Sequence, residues 1–156
     1  MGAPARGPRE IAMSQTILVI NGPNLNRLGL REPSIYGTET LADLEATLSR
    51  RAGELGVAVE FFQSNHEGAL IDRLHGYGHA TGAILNPGGL AHTSVPLRDA
   101  VASIPIPVIE LHISNIFARE SFRHRSLVSG ACKGVISGLG ADGYVAALEH
   151  LARLLK

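Results

Sequence analysis

The sequence predicts an α/β fold: one parallel sheet of five strands with helices on both faces. Three observations predict it. Short apolar runs recur at residues 17–20, 57–63, 82–85, 107–111 and 134–137. Segments with helical spacing separate most of them, which is the order that builds parallel sheets. The first run, Ile17-Leu18-Val19-Ile20, is apolar throughout rather than alternating, as befits a strand buried on both faces. Because such crossovers are right-handed, the likeness to a doubly wound, flavodoxin-like sheet follows.

The first strand breaks at Asn21-Gly22-Pro23-Asn24, where glycine and proline end the extended run. The loop beyond carries Arg27, Arg31 and Tyr36 before Gly37. A core strand thereby delivers carboxamides, guanidiniums and a phenol onto a long loop, where chemistry tends to sit. Thr40 and Asp43 form a capping-box pattern, with Leu41, Leu44, Leu48, Ala52 and Leu55 at helical spacing and Gly56 as the stop. A second helix runs through Leu70, Ile71 and Leu74 and frays at Gly76 and Gly78. The third begins near Thr93 and Ser94, with Pro96 in its first turn. Residues 114–129 are basic and irregular, with one helical turn expected around 117–123, and residues 144–155 read as a closing helix. We find no internal repeat or linker, so residues 14–156 form one domain. Residues 1–13 read as a disordered leader, with Met13 a second candidate start.

Composition narrows the function classes. The formal net charge is zero, which removes any general electrostatic pull toward nucleic acid or an anionic membrane. No apolar run approaches the ~20 residues of a membrane span. The single cysteine, Cys132, allows no intrachain disulfide and fits a reducing, cytoplasmic setting. With 12 Arg and only 2 Lys, Schiff-base chemistry has few candidates.

Ligands of such sheets bind beyond the carboxyl ends of the strands. Asn21 and Asn24 follow the first strand, Asn65 and His66 the second, Asn86 and His92 the third, and Glu110 and His112 close the fourth. Glu110 and His112 fall on the same side of their strand, with Leu111 opposite. A carboxylate beside an imidazole fixes its tautomer and raises its basicity. Three other patterns are decoys. Gly138-x-Gly140-x-x-Gly143 has dinucleotide spacing, but the chain ends before the acidic residue needed about 20 positions later. Close helix–strand packing explains those glycines better. His75 and His79 stand at zinc-helix spacing, yet glycines interrupt them and no catalytic Glu lies between. Cys132 reads as a small buried residue.

Six stretches resemble the type II 3-dehydroquinate dehydratase family: NGPNLNRLGLREPSIYG (21–37), QSNHEGALID (63–72), ILNPGGLAHTSVPLRDA (84–100), PVIELHISN (107–115), ARESFRHRS (118–126) and GVISGLGADGY (134–144). They fall in order across nearly all of residues 15–156. The leader and Ser121 are the departures, and neither touches a site position. The resemblance implies dehydration of 3-dehydroquinate to 3-dehydroshikimate through an enolate, the third shikimate step, with no cofactor and no metal. It implies Tyr36 as the base, and Arg31 on a mobile loop that keeps Tyr36 ionised. Asn24 would hold the water at the enolate oxygen, and His112, oriented by Glu110, would act as the acid. Asn86, His92 and Arg123 would grip substrate hydroxyls, and the N–H groups of Ile113 and Ser114 the carboxylate. Asp99 would reach a neighbouring subunit's site, Arg119 would support the loop, and four trimers would make a homo-dodecamer.

That reading makes a physical demand. A phenol titrates near ~10, so a base active near neutrality needs about 3 units of depression, or ~4 kcal/mol. An exposed ion pair supplies only about 0–1 kcal/mol. A cation at ~4 Å in a dielectric of about 20 supplies roughly 4 kcal/mol. Arg31 therefore serves only with the loop closed. Arg31→Ala is expected to lower kcat and move the tyrosine-linked limb of the pH profile upward. The rival from another class is a flavin- or nucleotide-binding module of the same fold. Aromatics at 4% and the absence of Trp weigh against it, and a colourless protein would count against it further. A Ser94–His92 hydrolase fails because the two stand too close along the chain.

Overall fold

A computed structural model describes residues 15–154. The leader expected over residues 1–13 and the last residue expected in the closing helix, Leu155, lie outside the described residues. Five parallel strands, β1 (Thr16–Asn21), β2 (Ala58–Gln63), β3 (Gly82–Asn86), β4 (Val108–His112) and β5 (Gly134–Ser137), form one sheet in the order β2-β1-β3-β4-β5. This is the flavodoxin-like order, and its switch point lies between β1 and β3. Among the described residues the α-helices are α1 (Pro33–Tyr36), α2 (Leu41–Leu55), α3 (Glu67–His75), α4 (Val95–Ala102) and α5 (Asp142–Leu154).

Period-two alternation in the central strands supplies two cores. Ile17, Val19, Ile84, Ile109 and Leu111 face one way and pack with Leu44, Leu48, Leu148 and Leu151 of α2 and α5. Leu18, Ile20, Ala83, Leu85 and Val108 face the other way, onto Leu70, Leu74, Leu97 and Val101 of α3 and α4. Leu48 is fully buried, and burying a leucine is worth about 1.5–3 kcal/mol. The central β3 is buried at every position, whereas the edge strands β2 and β5 are partly open.

The cap pattern of α2 holds: Thr40 Oγ1 accepts from the Asp43 N–H at 3.1 Å, and the Asp43 carboxylate accepts from the Thr40 N–H at 3.0 Å. Those backbone and side-chain bonds hold the Asp43 carboxyl below its ordinary value. Gly56 ends the helix at φ 71°. Two differences lie in the loops. The 21–37 connection is not wholly irregular, since it carries a 3-10 turn at Leu25–Arg27 and the single-turn α1. The 114–131 segment holds three 3-10 turns, Ile116–Ala118, Ser121–Arg123 and Ser129–Ala131, where one was expected. Turns this short carry no periodic signature.

The three decoys resolve differently. A Cβ on Gly143 would lie 3.3 Å from Ile136 and 3.4 Å from Leu111, so that glycine lets α5 approach the sheet. His75 closes α3 and His79 lies beyond it, both exposed. Burial, and next the charge of Glu110, push the Cys132 thiol up to about 12. No described helix is long and apolar enough to cross a membrane.

Candidate active site

The carboxyl ends of β1, β3 and β4 open on a cavity of about 170 Å³. Asn24, Arg31, Tyr36, Asn86, His92, His112, Ile113, Ser114, Arg119 and Arg123 line it, with Leu25, Leu28, Gly88, Gly89 and Ile116. Ten of the twelve residues nominated from the sequence therefore meet in one cleft. Glu110 stands behind His112 instead of lining the wall, and Asp99 lies on the exposed face of α4, away from the cleft.

The loop wall begins at Gly22, whose N–H donates to the Asn86 carbonyl at 2.8 Å. A Cβ there would fall 2.7 Å from the Pro87 oxygen, so only glycine lets β1 and β3 part this closely. Asn24 follows in the left-handed region, at φ 71°, which an Asn tolerates. Its N–H donates to Asn65 Oδ1 at 2.9 Å, and Gln63 Nε2 donates to the same oxygen at 3.1 Å. The end of β2 thereby anchors the loop, while the Asn24 carboxamide makes no hydrogen bond among the described residues.

Two arginines meet at Tyr36. Arg119 Nη1 donates to the phenolic oxygen at 2.6 Å and to Ser114 Oγ at 3.2 Å. The Arg31 guanidinium carbon lies 4.9 Å from the ring centroid, over the face rather than at the hydroxyl. Sequence reasoning gave Arg31 the contact with the base and Arg119 a supporting part. In this conformation Arg119 holds the hydroxyl and Arg31 covers the ring. Glu120 draws on Arg123 at 2.6 Å and lies 3.8 Å from Arg119. A bond from its own backbone N–H first, and then the guanidiniums of Arg123 and Arg119, hold its exposed carboxyl below the usual range.

The floor is built around Glu110, which is 0% exposed. Ser126 Oγ donates to Oε1 at 2.6 Å, and Ser129 Oγ donates to Oε2. Burial would raise this carboxyl, but His112, Ser126 and Ser129 together outweigh it and hold it below the ordinary value. His112 Nε2 lies 3.6 Å from Oε1, an electrostatic contact slightly too long for a hydrogen bond. That nitrogen is buried and has no hydrogen-bond partner. The geometry leaves Nδ1 as the ring nitrogen toward the cleft. His92 stacks beside His112 with centroids 6.1 Å apart. His92 Nδ1 lies 2.7 Å from the Arg125 carbonyl, which can only accept, so Nδ1 carries the proton.

At the switch point Asn21 and Asn86 pair across β1 and β3. Asn86 Nδ2 donates to the Tyr144 hydroxyl at 2.8 Å, and that hydroxyl donates to Asn21 Oδ1 at 2.6 Å. Burial pushes the Tyr144 phenol well above its usual value, which keeps its proton in place. The backbone N–H groups of Ile113 and Ser114 donate to no acceptor among the described residues. Together with three guanidiniums they suit a carboxylate.

The family model described as dehydroquinase class II matches residues 15–152. The chain belongs to this family. A relative in Agrobacterium fabrum, named 3-dehydroquinate dehydratase 1, is 56% identical over 143 residues, covering 91% of this chain and 99% of its own. The catabolic 3-dehydroquinase of Emericella nidulans is 53% identical, covering 90% and 92%. The crystal structure of a type II dehydroquinase from Butyrivibrio crossotus superposes with a TM-score of 0.87 at 45% identity, covering 88% and 97%. As a dehydroquinase-family chain, this protein has its conspicuous polar types where the sequence put them. Sequence reasoning missed Ser126 and Ser129, and it missed that Tyr144 serves the strand ends. One signal was available for Tyr144. It shares the apolar face of α5 with Ala147, Leu148 and Leu151, and a buried tyrosine needs a partner for its hydroxyl.

Proposed function

We propose that the protein is a 3-dehydroquinate dehydratase working through an enolate, with no cofactor or metal. The observation that carries this reading is one cleft holding a phenol bonded to a guanidinium and an imidazole backed by a buried carboxylate. Tyr36, as phenolate, takes the proton from the carbon next to the substrate ketone, and the electron pair passes to the ketone oxygen. A water held by the free Asn24 carboxamide donates to that oxygen as charge develops. The enolate then reforms the ketone, a carbon–carbon double bond forms, and the β-hydroxyl leaves. His112 gives that hydroxyl a proton, so it departs as water. Glu110 stabilises the positive charge on His112 before the transfer.

Arg31 sits on the exposed segment and Arg119 on the scaffold side. Closure of the loop brings Arg31 against the phenolate that Arg119 already holds and excludes water, which gives their field its strength. Asn86, His92 and Arg123 grip the ring hydroxyls, and the Ile113 and Ser114 amides hold the substrate carboxylate. The reaction belongs to the shikimate pathway in the cytoplasm, and the enzyme assembles as a dodecamer of four trimers. Asp99, exposed and remote from its own cleft, serves a neighbouring subunit's site.

The test is ultraviolet absorbance after addition of 3-dehydroquinate, because dehydration creates a conjugated acid. Native protein is expected to give a rising signal and Tyr36→Phe almost none. No signal from folded native protein overturns the reading. Equal rates would remove Tyr36 from its centre.

A further inference from the structure

We propose that Tyr144, a core residue outside the cleft lining, is a positioning residue that fixes which way the Asn86 carboxamide faces a ligand. The inference rests on the reading of Asn86 as a group that grips substrate.

The ring of Tyr144 is fully buried against the sheet, and a phenylalanine would fill that space. The hydroxyl is what distinguishes it. It has one proton and two lone pairs, and here it donates to Asn21 and accepts from Asn86. Asn21 and Asn86 are register partners, so one hydroxyl spans the ends of two adjacent strands at the switch point. The other end of the Asn86 carboxamide is fixed as well, since Oδ1 accepts from the Gly88 N–H at 3.1 Å.

A flipped amide would set Nδ2 against the Gly88 N–H, donor against donor. It would also require the Tyr144 proton to turn toward Asn86, leaving Asn21 Oδ1 without its donor. The penalty at Asn21 falls in a buried place and the clash at Gly88 in a half-buried one, where an unsatisfied polar atom is expensive. The carboxamide therefore offers the cleft one N–H and one lone pair in a fixed arrangement. Gly88 and Gly89 line the cleft, and the 3-10 turn Gly88–His92 carries His92. The chain of bonds thus runs from the middle of the core to the substrate wall.

An orienting role predicts weaker binding with little change in chemistry, because the bond to a ring hydroxyl persists from ground state to transition state. Tyr144→Phe is expected to raise KM about tenfold, with kcat within about threefold of native, as for loss of one oriented hydrogen bond. Thermal stability will fall too, and that alone would not distinguish a structural role. The deciding measurement is a double-mutant cycle with Asn86→Ala, read in kcat/KM. If Tyr144 acts through Asn86, the double variant is no worse than Asn86→Ala alone. Effects that multiply in full overturn the proposal, as does an unchanged KM in Tyr144→Phe. Asn21→Ala, which releases the phenol proton to turn, gives the same KM-selective signature and serves if Tyr144→Phe does not fold. Native protein that neither turns over nor binds 3-dehydroquinate by calorimetry overturns the reading of the cleft and this inference with it. Native protein that works, and a Tyr144→Phe that matches it, overturns this inference alone.

Discussion

The two sides of the cleft are built on opposite principles. The floor comes from strand ends and is buried and, apart from His112 Nε2, densely bonded: Glu110 takes both serine hydroxyls, and Asn21, Tyr144 and Asn86 form a continuous chain. The wall, from Asn24 to Gly37, is mostly exposed, and α1 contributes no buried residue. Glu32, just before α1, sits at φ 39°, a region a glutamate seldom adopts. A segment with so few buried apolar contacts opens at small free-energy cost, whereas the floor opens only with the domain. The proposed acid thus rests on the rigid side and the proposed base on the yielding one. Such a division lets substrate enter while the groups that orient it stay fixed.

The largest expected effect breaks the wall's contribution outright. Tyr36→Phe should lower kcat about 10²–10⁴-fold, the range for a lost general base, with the melting temperature nearly unchanged because the hydroxyl lies in the open cleft. A normal melting curve beside absent turnover would show that the wall carries chemistry and little stability. A large loss of stability would refute the contrast.

Next come the two arginines. Arg119→Ala and Arg31→Ala should each lower kcat about 10–10²-fold, as roughly 4 kcal/mol of charge stabilisation at the phenolate is shared between them. Stopped-flow rates for the single and double variants sharpen the comparison. In this conformation Arg119 touches the hydroxyl and Arg31 lies over the ring, so the proposed closure has more to add at Arg31 than at Arg119. Solvent viscosity should therefore alter native kcat more than that of Arg31→Ala, where chemistry has become slow relative to closure. Equal viscosity dependence would disconnect Arg31 from the closing step.

Much of the floor could be read from the sequence, and the wall's pairings could not. Ile17 to Ile20 announced a doubly buried strand, and the alternation Glu110-Leu111-His112 placed carboxylate and imidazole on one side, where they are found. Those are local facts, set by a period of two. Which arginine meets Tyr36 is a different matter. Arg119 stands 83 positions away and Arg31 only five, and nothing local in the sequence says which guanidinium meets the hydroxyl and which lies over the ring. Tyr144 lies 58 positions from Asn86 and 123 from Asn21. Only the assembled sheet brings those three together, and no periodicity encodes it. Ser126 lies in the irregular stretch between two 3-10 turns and Ser129 opens the second of them, too short to carry a pattern, so their aim at Glu110 emerged only from the fold.

A milder perturbation asks whether the floor is as electrostatic as it looks. Ser126→Ala and Ser129→Ala each remove a donor to a buried carboxylate, at about 1.5–3 kcal/mol per bond. The sign follows from linkage. Glu110 is held below its ordinary value in the folded protein, so its stabilisation is present above the ordinary carboxylate range. It disappears as the pH falls through the lowered folded value. The serine variants raise that folded value, so their deficit in stability should be largest at neutral pH and shrink on acidification. Denaturation at a series of pH values would measure it, and a deficit independent of pH would assign the serines a packing role only.

The smallest expected effect lies where the wall ends. Thr40 caps α2 three residues after Gly37, and the helix behind it is buried through Leu44, Leu48 and Ala52. Thr40→Ala removes the cap and should lower the melting temperature by about 2–4 °C. Its effect on kcat separates two pictures of the wall. If α2 is a fixed post from which the segment up to Gly37 swings, fraying its first turn leaves the closed state intact and kcat unchanged. If the first turn of α2 moves with the segment, kcat and KM change together, as hinge variants do. The cap bonds of Thr40 are made within α2 and reach nothing on the loop, and Leu44 already belongs to the core beside α5. That arrangement favours the fixed post, so stability should fall while turnover holds.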